Sequence, residues 1–407
     1  YFIFPMFKSL NFKIILFGFI FTFFSSFGQS FFLGLFNPSI RESLSITHGQ
    51  FGSIYASATL LSSFILVWIG KKIDDMNIFK FASYVIISLA ISSFLFSKIS
   101  SIIFLFFSIF LMRLSGQGLM SHTATTTISR YFERSRGRAL STTWLGLSLA
   151  EFILPLLIVF LLTIIEWRSI WLSISILVII LLPLVSFFLV KNVNLNSREK
   201  FNKKNKKLKK IKQWKRIEVL KDYRFYIVCI NMLAMPWIAT GSFVYQSFIS
   251  SSKGWGPYVI AQSFMIYSIL SVITLFVSGF LIDKFSSRKL LIYMNIPLLF
   301  SAFVLYNFTS PFSSFVFLGL IGISNGLANV LGSSTWAEIY GVKYIGSIKA
   351  LTTALMVFST AFGTALFGTL IDNNFSIEQI ALVSGSYIAF SIILLFLVKN
   401  KLNPIYI

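Results

Sequence analysis

Two ionisable residues stand inside long apolar stretches: Arg113, in Arg113-Leu-Ser-Gly116-Gln117-Gly118, and Glu151, in Leu147-Ser-Leu-Ala-Glu151-Phe-Ile-Leu-Pro155. An Arg near the middle of a bilayer costs on the order of 2.5–3.5 kcal/mol, so it must face a partner or a wet interior. Gln117, one helical turn on, shares the face of Arg113. Counted from the opposite boundary of its own stretch, Glu151 reaches about the same depth as Arg113, and the two are expected to pair. Whether a buried carboxyl keeps its proton depends on whether a cation stands beside it. Such a pair therefore suits proton coupling or substrate contact, and it equally suits a fixed ion pair that only sets helix packing. Amides that both donate and accept stand at Gln29, at Asn231, and at Asn325 and Asn329, one turn apart. Each suits recognition of a solute or a hydrogen bond between helices. Gln246 and Gln262 fall nearer to helix ends, and His122 is a lone histidine near the end of its stretch.

Other chemistries find little to build with. Two histidines and one cysteine, Cys229, provide no metal-ligand set, no intrachain disulfide and no nucleophile cluster. No phosphate-binding loop is present, so direct use of ATP by this chain is not expected. No cofactor is implied.

The elements that must hold these residues are membrane helices. Of 407 residues 56% are hydrophobic and only 12% are charged, a balance that would leave a soluble fold with excess apolar surface. Twelve apolar segments are long enough to span: 13–36, 51–70, 79–97, 101–128, 139–164, 168–190, 224–250, 258–282, 289–309, 312–336, 347–371 and 377–398. The first follows Lys8 and Lys13 and lacks a small-residue cleavage site, so it reads as a retained helix rather than a leader. The fold expected is all-α and integral to the membrane, with a six-helix bundle over 1–190, a basic linker over 191–223 and a second bundle over 224–407.

The net charge of +22 is distributed by topology. One set of loops holds Lys71, Lys72 and Lys80; Arg130, Arg134, Arg136 and Arg138; Lys284, Arg288 and Lys289; Lys343 and Lys349; and Lys399 and Lys401. The other holds only Arg41, Lys98, Arg168 and Lys253. Lys and Arg gather on the cytoplasmic side, which places both termini there and the chain in a plasma (inner) membrane. The linker, with Arg224 just beyond it, carries fourteen Lys or Arg against Glu199, Glu218 and Asp222. Its Lys203–Lys212 stretch suits a basic helix on anionic lipid, or a solvated segment that enforces topology. No aromatic groove accompanies it, so nucleic acid is not an expected partner.

A polar hairpin recurs half a chain apart: Gly70-Lys-Lys-Ile-Asp74-Asp75 and Gly279-Phe-Leu-Ile-Asp283-Lys284, the latter followed by Arg288 and Lys289. Gly permits close helix approach, and a carboxylate can cap the positive end of a neighbouring helix. The pair reads either as a conformational latch or as turn residues carrying topological charge.

These features together resemble the major facilitator superfamily over essentially the whole chain. The first hairpin departs from the family pattern, with Asn77 where Gly is usual and Ile78 and Phe79 where basic residues are usual. The loop from Arg130 to Arg138 resembles the family's connection between its fourth and fifth helices. The stretch from Thr335 through Glu338, Gly341, Lys343, Gly346 and Lys349 to Ala350 resembles branches that contain oxalate/formate antiporters and monocarboxylate carriers, which implies a small organic anion. The cation that the oxalate branch places in helix 8 or 11 is absent, which leaves Arg113 as the deep cation. Ala150-Glu151 stands where the antiporter pattern has Gly-Pro, which argues against drug efflux.

The resemblance implies a secondary active transporter, a symporter or antiporter and not an enzyme. Two halves would alternate access around a midplane pocket, driven by a proton or ion gradient, and the chain would act as a monomer. A non-transporting receptor and a membrane-embedded enzyme on the same bundle are the alternatives. Gly319, Gly322 and Gly326, and Gly363 and Gly368, have spacings that suit helix packing in lipid.

Overall fold

The structure, a computed structural model, describes residues 9–132, 136–191, 212–341 and 343–405. Among the described residues there are helices and no strand. Among the described residues twelve helices are long and apolar enough to cross a membrane. They are α1 (Asn11–Gly28), α2 (His48–Ile73), α3 (Ile78–Ser97), α4 (Ile102–Tyr131), α5 (Arg138–Leu161) and α6 (Trp167–Val190). The second half supplies α7 (Tyr223–Val244), α8 (Pro257–Ile282), α9 (Ser287–Asn307), α10 (Pro311–Tyr340), α11 (Ile348–Asp372) and α12 (Ile377–Lys401).

The chain divides into two compact units, one of Tyr1–Ile46 with Ser53–Asn202, the other of Thr47–Gly52 with Lys203–Ile407. Within the first unit α1 packs on α5 and α4, and α3 on α6 and α4. Within the second, α7 packs on α11 and α10, and α9 on α12 and α10. Adding six to each of these helix numbers converts one set of partners into the other, an internal repeat that the extensive packing of α8 on α10 in the second unit does not share. The short piece Thr47–Gly52 joins the second unit through hydrogen bonds: Asp372 at the end of α11 accepts from His48 N at 3.0 Å and Gly49 N at 2.8 Å. Tyr245 Oη donates to the carbonyl of His48 at 2.8 Å.

In lipid there is no hydrophobic gain from bringing two helices together, so contact depends on small residues and close packing. A side chain on Gly146 of α5 would run into the Phe19 carbonyl of α1. Its counterpart in the repeat, Gly363 of α11, lies equally tight on Trp237 of α7. Gly322 and Gly326 of α10 lie on the backbone of α8 at Tyr267 and Ser271, so the expected packing role holds for this pair. Between these contacts aromatic rings fill the interior. Trp171, fully buried, meets Phe96 at 4.3 Å, Phe36 at 5.1 Å and Phe32 at 5.5 Å between ring centroids, tying α6 to α3 and to the first helix and its continuation. On the other side of the same helix, Ile180, Leu184 and Phe188 recur every four residues and stay exposed, as a lipid-facing stripe requires.

Candidate functional site

The first helix does not run unbroken. It is α-helical over Ser9–Ser25, tightens to a 3-10 turn over Ser26–Gly28, extends at Gln29 (φ −82°, ψ 154°), and resumes at Ser30–Leu35. Gly28 lets the broken turn lie directly on α4, because a Cβ there would press into the backbone of Met112 and Gln117. Gly116 is equally tight against Gly28. Opposite this break α4 opens into wide π turns over Arg113–Met120. Such turns leave backbone groups out of register and recur at functional sites.

Arg113 begins the π segment and is 3% exposed. Its Nη1 donates to the Gly28 carbonyl at 3.0 Å, a group freed by the break in α1. Its guanidinium lies over the Tyr55 ring of α2 at 5.3 Å from the centroid, and a cation over an aromatic face is attracted to it. Its Nε has no hydrogen-bond partner among the described residues. Gln29 follows Gly28 directly and the Gln117 backbone lies against Gly28, and both glutamines are half-buried.

Glu151 is 8% exposed. Thr22 Oγ1 of α1 donates to the Thr143 carbonyl of α5 at 2.6 Å, which sets the two helices in register. Glu151 lies about 12 Å beyond Thr143, and Gly28 about 9 Å beyond Thr22, at about 1.5 Å per residue. The two charges are therefore at closely matched depth. They do not pair: among the described residues no ion pair joins Arg113 to Glu151, and none reaches either of them. The reason lies in the unwound turn of α1, whose carbonyl takes the guanidinium instead.

The amides of the second unit do not gather at one point. Asn231 is fully buried; its Nδ2 lies 3.4 Å from Ser391 Oγ of α12, and its carbonyl accepts from Asn295 Nδ2 of α9 at 2.6 Å. Asn325 Nδ2 donates to Ser271 Oγ of α8 at 2.9 Å. Asn329, one turn on, is exposed. Gln246 is buried and donates to the Phe243 carbonyl, while Gln262 is exposed.

The hairpins differ in build. The side chains of Asp74 and Asp283 lie outside the description, as do residues 192–211 of the basic linker and Arg134. At the first hairpin, α4 grips the backbone: His122 Nε2 lies 3.0 Å from the Gly70 carbonyl, and Arg130 Nη1 donates to the Ile73 carbonyl at 3.1 Å. The His122 ring would stand 3.2 Å from a Cβ on Gly70, so the ring would have to shift slightly for any larger residue there. Gly279 meets nothing within 4 Å, and the close approach expected for it is absent. Asn77 takes an extended conformation and its side chain accepts from Phe79 N at 2.8 Å, capping α3. In the second hairpin Ser286 has φ 71° and ψ 147°, a conformation that suits Gly. Glu338 of α10 then binds the turn, accepting from Ser287 N at 2.9 Å and pairing with Arg288 Nε at 3.0 Å. Lys284 and Lys289 are exposed.

Sequence reasoning missed one strong cluster. Arg224, counted as topological charge, is buried with Asp222, Nη2 to Oδ2 at 2.7 Å. Its Nη1 also donates to the carbonyls of Lys401 at 3.0 Å and Asn403 at 3.1 Å. Tyr340 Oη reaches the same Asp222 carboxylate at 3.2 Å. The signal was Asp222 as a cap of α7, two residues before an Arg. Just upstream, the backbone N–H of Lys215 donates to Glu218 at 2.7 Å and holds that carboxylate below its ordinary range. At the opposite end Lys253 is buried against Glu378 at 2.7 Å.

Twelve apolar helices in a repeated six-plus-six packing define a multi-pass membrane protein. The profile of the Major Facilitator Superfamily matches residues 18–246 and again 226–404, and the chain belongs to that family. Among solved structures, a bacterial homologue of the human lysosomal transporter Spinster, in an inward-facing and unoccupied conformation, is 13% identical with a TM-score of 0.73, covering 97% of this chain and 98% of its own. The nucleoside transporter NupG is 12% identical with a TM-score of 0.70, covering 97% of this chain and 99% of its own. At such identities the likeness concerns the fold. No curated protein matches the sequence.

Proposed function

We propose that this chain is a secondary active transporter of a small organic anion, working by alternating access and coupled to protons through Glu151. The observation that carries the reading is Arg113: a guanidinium 3% exposed, with its Nε unpartnered and no carboxylate in ion-pair range among the described residues. A buried charge without a counter-charge is strongly unfavourable, and an anionic solute would supply one.

In this reading the substrate's carboxylate binds Arg113 at the α1 break, and Gln29 and Gln117 hydrogen-bond its polar atoms. Asn231 keeps the helix join that its hydrogen bonds already make. Glu151, buried at matching depth but outside ion-pair range of Arg113, takes the coupled proton, and its neutralisation favours entry of the anionic solute by removing a nearby negative charge. The Gly70–Asp74 and Gly279–Asp283 hairpins, with Lys284, Arg288 and Lys289, act as latches on the basic side. That side is cytoplasmic in a plasma (inner) membrane, with both termini on it, and the linker rests on anionic lipid. The chain works as a monomer.

Reconstitution into vesicles tests the coupling. Glu151→Gln should abolish accumulation driven by a proton gradient while substrate exchange continues. Normal concentration of solute by that variant would overturn the role of Glu151. Absence of flux for a broad panel of solutes would favour a non-transporting receptor.

A further inference from the structure

On the side opposite the basic loops, four cations stand in the connecting segments. Lys253 is committed to Glu378, and Arg41 donates to Asn37 at 2.9 Å. The other two, Lys98 and Arg168, line a single cleft of about 350 Å³ in the first unit, between the end of α3 and the start of α6.

The cleft is built. Arg168 Nη2 donates to the Ile99 carbonyl at 3.1 Å, and its guanidinium lies over the Trp167 ring at 4.3 Å, which fixes the side chain at the rim. Its Nη1 pairs with Glu166 at 3.2 Å, and that carboxylate is 62% exposed. Lys98 is exposed and makes no ion pair among the described residues. Ser100 and Ser169, both exposed, also line the cleft and add hydroxyl donors. Two cations against one carboxylate leave the cleft with an excess of positive charge. Beside it the surface turns apolar at once: Phe94 is 45%, Ile102 46% and Ile103 71% exposed.

A cationic, hydroxyl-lined cleft at the edge of an apolar helical surface matches an amphiphile with an anionic head. We infer that this cleft binds the phosphodiester headgroup of an anionic phospholipid, with Lys98 and Arg168 on the phosphate oxygens and the acyl chains along Phe94, Ile102 and Ile103. Basic residues near a membrane surface attract anionic lipid at about 1 kcal/mol each, which is about a fivefold change in binding per cation. Free inorganic phosphate shares the head chemistry and lacks the chains. Glu166 competes with the headgroup for Arg168.

The test is native mass spectrometry of the intact chain in detergent with added dioleoylphosphatidylglycerol, dioleoylphosphatidylcholine or inorganic phosphate. The expected result is retention of phosphatidylglycerol over phosphatidylcholine, falling about fivefold in Lys98→Gln. Glu166→Gln should raise retention, and Lys191→Gln, on the other side, should leave the Lys98-dependent part unchanged. The Lys98 side chain makes no hydrogen bond among the described residues and only a distant contact with the Phe94 ring at 5.9 Å, while its backbone N–H bond to Leu95 survives substitution, so its variant should fold normally. Equal retention of phosphatidylglycerol by the parent chain and Lys98→Gln would overturn the site. Phosphate held as well as phosphatidylglycerol, both lost in Lys98→Gln, would overturn the lipid assignment in favour of a free anion.

Discussion

Arg113 donates to the backbone carbonyl of Gly28 at 3.0 Å, and both residues sit where their helices depart from α geometry. The 3-10 turn and extended Gln29 of α1 release a carbonyl, and the π turns of α4 bring the guanidinium to it. Irregular backbone at membrane depth is tolerated where protein or a wet cavity satisfies it. The neutral oxygen takes one donor of Arg113 without meeting its charge, and Nε is left without a hydrogen-bond partner among the described residues.

Gly28 should therefore be the most sensitive glycine of the first helix. Gly28→Ala forces its Cβ into the Met112 and Gln117 backbone, which cannot yield as a flexible side chain would. The expected loss is about 1–3 kcal/mol of stability, with uptake lost as well. Gly279→Ala, at an open helical position, should be neutral or slightly stabilising. Thermal unfolding of the two variants checks this, and equal behaviour would contradict it.

Ser286 holds a backbone conformation that suits Gly. Ser286→Gly should stabilise the second hairpin by about 1 kcal/mol, the strain of roughly 1–3 kcal/mol being partly offset by the flexibility of Gly in the unfolded chain. A lowered unfolding midpoint for this variant would show that the strain is absent.

Asp222→Ala leaves Arg224 buried without its carboxylate, in a cluster that also holds the carbonyls of Lys401 and Asn403. Removing one partner of a buried pair costs about 3–5 kcal/mol. Unfolding should show a loss of that size, and faster proteolysis of the C-terminal tail should accompany it. An unchanged tail would mean that Arg224 does not hold it.

Asp372 caps two backbone N–H groups at the start of α2. Asp372→Ala should cost about 0.5–2 kcal/mol, and Asp372→Asn less, because an amide oxygen still accepts. Equal loss in both would point to the charge rather than the hydrogen bonds. Thermal unfolding distinguishes the two.

The spans were legible because an apolar run of sufficient length admits few other readings in lipid. An Arg inside such a run was expected to face protein rather than lipid, and Arg113 is 3% exposed. Its partner was not. Opposite charges at one depth suggested Glu151, yet the acceptor is a main-chain carbonyl, and any residue type carries one. The available sign was Gly28, set between serines and Gln29 in an otherwise apolar helix, where an isolated Gly marks close backbone approach or a break. Arg224 was misjudged for a related reason: a basic residue beside a basic linker looks like topology until its burial is known. Asn77 departs from the family pattern because this hairpin uses it as a helix cap, a role Asn performs well.

The central claim is that Arg113 receives the negative charge of the solute. Uptake into vesicles containing the reconstituted chain, across organic acids, sugars and amino acids at two pH values, tests it most directly. The account predicts saturable uptake of an organic anion that Arg113→Gln abolishes and Arg113→Lys weakens. Transport of a neutral solute at an unchanged rate by Arg113→Gln would contradict it.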